Sequence, residues 1–71
     1  MAVEPEADST AISDFAYDEE ARELLIRYRG GRAYIYYEVS RDDYLAFRDA
    51  ESKGKFVNKV IKPKYEYRPV E

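Results

Sequence analysis

Apolar positions along this chain follow two periods, and each predicts its own elements. Leu24, Ile26 and Tyr28 alternate with Leu25, Arg27 and Arg29, which is the period of two expected of a half-buried strand. Ala33 to Val39, A-Y-I-Y-Y-E-V, is dense in aromatic and branched residues that suit a pleated surface. Ahead of both, A-I-S-D-F-A-Y from Ala11 is short and strand-like and closes on the acidic turn Asp18-Glu19-Glu20. Three antiparallel strands follow, with Gly30-Gly31 supplying a tight turn between the second and third.

Past Val39 the signals become helical. Ser40 is placed to cap a helix, with Asp43 at the reciprocal capping-box position and Val39 and Tyr44 at the hydrophobic-staple positions. Asp42 and Asp43 also suit the positive end of that helix, which is expected to reach about Glu51 and to bury Tyr44, Phe47 and Leu45. Ser52 caps a second helix. On it Phe56, Val57, Val60 and Ile61 share an arc of roughly 140°, while Lys55, Lys59 and Lys62 occupy the other side. Pro63 is expected to stop it, leaving Lys64 to Val70 extended and able to add a short strand. The predicted architecture is α+β: a three-stranded antiparallel meander followed by two helices packed on one sheet face, with a short extended C-terminus.

The glycine turn leaves the register open. A two-residue loop pairs Tyr28 with Ala33 and Ile26 with Ile35, which turns Tyr34 and Tyr36 outward beside Arg27. A loop of Gly30 to Arg32 pairs Tyr28 with Tyr34 and Ile26 with Tyr36, which turns both tyrosines inward. The need of a small core for aromatic volume favours the inward placement.

Composition narrows the function classes. The 71 residues make one small domain, with residues 1–9 read as a disordered acidic tail and 10–71 as the folded unit. Cysteine and histidine are both absent, so disulfides, soft metal sites and the commonest general base are excluded. Eight tyrosines and three phenylalanines supply the core volume instead. No apolar stretch reaches membrane-span length and the acidic start lacks a signal peptide's features, so a soluble cytoplasmic domain is expected.

Charge is unevenly spread. All five lysines fall between Lys53 and Lys64, so the formal net charge of -3 conceals a dipolar chain. Residues 1–20 carry seven acids and no base, whereas 52–68 carry six bases against Glu66 alone. The plain reading of the lysine stripe is a solvated helix face. The sharper one is polyanion contact, since Lys55, Lys59 and Lys62 have no acidic partner at helical spacing within that helix. Ser52-Lys53-Gly54 reads as a small anion site or, more simply, as a capped start whose glycine lets two helices pack. Tyr34, Tyr36, Tyr65 and Tyr67 serve either as core or as stacking surfaces for unpaired bases. Asn58 either reads a base edge or is a buried amide tying a loop to the helix. The carboxylates at Asp18-Glu19-Glu20 and Asp42-Asp43 are explained as a turn and a helix cap, without a metal.

The segments Tyr34-Ile35-Tyr36, Tyr37-x-Val39 and Ser52-Lys53-Gly54-x-Phe56-x-Asn58-x-x-Ile61-Lys62 together resemble the KTSC domain. That family is named for the C-terminus of some lysyl-tRNA synthetases and also occurs as a free-standing small bacterial protein. The resemblance spans about residues 9–70, and S-K-G-x-F-x-N-x-x-I-K is its specific part. Ile35 departs from the polar residue often found between the family's tyrosines. The matching positions are Tyr34, Tyr36, Ser52, Lys53, Gly54, Phe56 and Asn58. What the resemblance implies is a small α+β module for which RNA binding has been proposed from its attachment to a synthetase.

The expectation is therefore a non-catalytic binding module without a cofactor. Lys53, Lys55, Lys59, Lys62, Lys64 and Arg68 are expected to meet the phosphates of RNA or another polyanion, with Tyr34 and Tyr36 stacking and Asn58 reading an edge. The alternative is a protein-interaction module in which the same lysines dock an acidic partner, or the acidic tail of residues 1–9.

Overall fold

The computed structural model describes residues 12–70. The tail assigned to residues 1–9 lies outside the described residues. β1 (Ile12–Asp18), β2 (Glu23–Tyr28) and β3 (Ala33–Tyr36) form the expected meander. Helix α1 (Arg41–Asp49) and a second helix, α2, over residues 53–64 come next, and β4 (Tyr67–Val70) closes the chain. β4 is the correction to the three-strand expectation: it pairs antiparallel with β3, giving a four-stranded sheet in the order β1-β2-β3-β4. The extended C-terminal segment thus finds backbone partners for its amides on an edge that would otherwise stay open.

The β2–β3 register is neither of the two anticipated. Arg29, Gly30 and Gly31 form the loop, Tyr28 N–H donates to the Arg32 carbonyl at 2.7 Å, and Ile26 faces Tyr34 while Leu24 faces Tyr36. Gly30 and Gly31 both adopt positive φ, at +99° and +97°, which is why glycine stands at both positions. A shift of two in the pairing sum keeps side chains on the same faces as the inward alternative. Tyr34 and Tyr36 therefore lie on the helix-covered face with Leu24, Ile26 and Tyr28.

Packing against that face builds the core of Leu24, Ile26, Tyr36, Val39, Phe47, Val57 and Ile61. Phe15 meets Phe47 edge-on at 4.9 Å, and Tyr17 stacks on Tyr44 at 4.3 Å. The strand predicted to run to Val39 ends at Tyr36. Glu38 takes φ +57°, a sharp bend that drops Val39 into the core, where its N–H donates to the Arg22 carbonyl and its own carbonyl accepts from the Tyr17 hydroxyl.

Both serines cap as read. Ser40 Oγ accepts from Asp43 N–H at 3.1 Å, and Ser52 Oγ accepts from Lys55 N–H at 3.3 Å. Pro63 does not stop α2. The helix runs as an α-helical turn (Lys53–Phe56), a π segment (Val57–Ile61) and a final turn (Lys62–Lys64) that contains the proline. Proline has no N–H to donate, and its ring collides with the carbonyl four residues back in a regular α-helix. The wider π turn just upstream relieves that conflict, and Lys62 N–H donates to the Val57 carbonyl five residues back.

Candidate functional site

Where α2 crosses β3 and β4, the sheet and helix leave a cleft of about 350 Å³. Tyr28, Tyr34, Tyr36 and Tyr67 wall it, and Arg32, Asn58 and Lys62 stand among them. Strand geometry positions the rings: Tyr36 pairs with Tyr67 across β3 and β4, and Tyr34 lies opposite Ile26 on β2. Successive rings then touch. Tyr28 meets Tyr34 edge-on at 5.9 Å, Tyr34 meets Tyr67 edge-on at 6.0 Å, and Tyr67 lies tilted over Tyr36 at 5.0 Å. The Tyr36 phenol neighbours that of Tyr28, which brings the fourth ring into the cluster.

Depth differs around this cluster. Tyr36 is 2% exposed and forms the floor, while Tyr67 is 41% exposed and offers a ring at the mouth. Burial, followed by the neighbouring Tyr28, pushes the Tyr36 phenol far above its ordinary value, so it stays a neutral donor. Burial also raises Tyr28, partly offset by the neighbouring Tyr36 phenol. The helix contributes the polar side. Asn58 lies in the π segment and Lys62 one helical turn later, so both reach the same opening. Lys62 Nζ sits 5.9 Å from the centre of the Tyr67 ring, a cation–π distance. None of the seven residues lining the cleft is acidic, which gives it an anion-accepting character.

A second polar cluster lies just past the cleft, at the C-terminal end of α2. The Tyr65 hydroxyl accepts from Ser40 N–H at 3.2 Å and donates to the Asp43 carboxylate, and Lys64 Nζ donates to the same carboxylate at 2.8 Å. Lys64 first, then Tyr65, hold the Asp43 carboxyl below its ordinary value. The expected capping box is thereby changed: the backbone donor that Asp43 was to satisfy goes to Tyr65 instead. A further depression at Tyr17, Glu19, Arg22, Arg41 and Asp42 is internally matched in charge, with Arg41 3.7 Å from Glu19.

The KTSC domain family profile matches residues 8–65. This chain belongs to the KTSC domain family. A protein of Tsukamurella paurometabola is 40% identical over 58 residues, covering 82% of this chain and 87% of that one. A lysine–tRNA ligase of Nostoc punctiforme is 30% identical over 60 residues, which is 84% of this KTSC domain but only 11% of the ligase. The crystal structure of a KTSC domain protein from Yersinia pestis superimposes with a TM-score of 0.81 at 36% identity, covering 89% of each chain.

The KTSC motif residues divide by role in this structure. Ser52 caps α2, Gly54 is buried where α2 starts against α1, and Phe56 packs on the core. Lys53 Nζ lies 6.0 Å from the Phe15 ring centre, away from the cleft. Tyr34, Tyr36 and Asn58 meet in the cleft. Asn58 is exposed, which overturns the reading of a buried amide.

The other expected contact residues disperse. Lys55 and Lys59 are exposed on α2, and among the described residues neither is paired with an acid. Lys64 is engaged by Asp43, and Arg68 is paired with Ile35, on the sheet face that the helices leave open. Tyr28 and Arg32 were not anticipated in the site. Only the register, which places Tyr28 opposite Arg32 at the hairpin end, brings them there.

Proposed function

We propose that this KTSC domain is a non-catalytic module that binds unpaired RNA. Phosphates run along Lys55, Lys59 and Lys62, and one base enters the tyrosine cleft. The observation that carries this reading is the cleft itself, which joins an exposed ring at Tyr67 and a half-buried one at Tyr34 to Lys62, Arg32 and Asn58. Aromatic surfaces beside cations are what single-stranded nucleic acids use, stacking bases while the backbone is neutralised. A docking site for an acidic protein surface needs the lysines alone. The relative named lysine–tRNA ligase, which contains a domain of this kind, is a protein that acts on an RNA.

Anisotropy of a labelled single-stranded RNA across a salt series tests the reading. With about four phosphates neutralised, log affinity falls against log salt with a slope of about -3. A slope near zero removes phosphate contact from the account.

A further inference from the structure

We infer that the tyrosine cleft is a one-nucleotide site that selects a purine, with Asn58 and Arg32 at the base edge and Lys62 at its phosphate. This rests on the RNA reading and makes it specific. Size sets the occupant. A volume of about 350 Å³ lies at the small end of ligand pockets, enough for one nucleotide and not for a row of bases. Flanking nucleotides must stay outside, over the lysines of α2.

Charge excludes the other occupant that tyrosine cages are known for. A quaternary or methylated ammonium needs rings without competing cations. Here Lys62 already lies over Tyr67, Arg32 shares the opening, and none of the described residues lining the site carries a carboxylate. The ligand is therefore flat and anionic.

Selection follows from side-chain chemistry. An asparagine carboxamide offers one donor and one acceptor, matching the N6 and N7 positions of adenine. An arginine matches the O6 and N7 acceptors of guanine. Both two-pronged matches use the purine N7 edge, which pyrimidines lack. The larger purine face also gains more from stacking on Tyr67.

The test titrates the isotope-labelled full chain with AMP, GMP, CMP and UMP, followed by NMR, and repeats it with N58A and with a single-stranded oligonucleotide. The expected result is that purine nucleotides shift Asn58, Tyr34 and Tyr67 and bind at least about fivefold tighter than pyrimidines. N58A should reduce the preference for AMP over the pyrimidines to the part that stacking supplies, while leaving the spectrum otherwise folded. Equal binding of CMP or UMP, or an unchanged AMP preference in N58A, overturns the purine selection. Oligonucleotide binding without any cleft shift from mononucleotides overturns the one-nucleotide site and leaves the RNA reading standing. Silence from both ligands overturns the two together.

Discussion

The Tyr65 hydroxyl donates to the carboxylate of Asp43, joining the end of α2 to the first turn of α1. The same oxygen accepts from Ser40 N–H, so one phenol serves two partners at a helix start. Y65F leaves both without it. A loss of about 1–3 kcal/mol is expected, read as a lower urea midpoint with unchanged slope. An unshifted midpoint would show that water replaces the phenol at no cost.

Asp43 sets the acid limb of stability. Its folded value is lowered, chiefly by Lys64 and then by Tyr65, so its contribution is present above the ordinary value of 3.8 and is lost as pH falls through the lower folded value. Urea denaturation should show stability declining below about pH 4, and D43N should flatten that decline. A D43N curve parallel to the wild type's would place the acid sensitivity elsewhere.

Tyr36 and Tyr28 act at the other end of the scale. Burial raises both above the ordinary value of 10.0, so their stabilisation is full below that value and is lost as pH climbs beyond it. Tyrosinate absorbance should therefore rise in two stages, with Tyr36 and Tyr28 ionising late and together with unfolding. A single stage at the ordinary value, with the fold intact, would contradict a dry cleft floor.

Much of this fold was legible because it rests on local chemistry. Alternation marked β2, and Ser40 and Ser52 announced both helix starts. The S-K-G-x-F-x-N-x-x-I-K run carried the family resemblance, and the need for aromatic volume turned Tyr34 and Tyr36 inward. What escaped was non-local. The extended C-terminus was read, but its pairing as the strand Tyr67–Val70 depends on a partner in β3, and the cleft depends on a hairpin register that two adjacent glycines do not fix. Pro63 read as a stop because the π turn that accommodates it has no signature in side-chain pattern.

The basic residues should separate by position. K62E is expected to weaken RNA binding by tenfold or more, and K59E to weaken it and flatten the salt slope by about 0.7. R68E should leave affinity within about twofold, because Arg68 shares the open sheet face with Ile35, away from α2. Equal losses from all three in the anisotropy assay would mean that overall charge, and not this face, governs binding.

The most direct measurement is an NMR titration of the labelled domain with a short single-stranded RNA at low and moderate salt. The account predicts shifts at Tyr34, Tyr67, Asn58 and Lys62 that continue along Lys59 and Lys55 and shrink as salt rises. Unmoved cleft resonances, with shifts confined to the open sheet face around Arg68 or absent altogether, would contradict it.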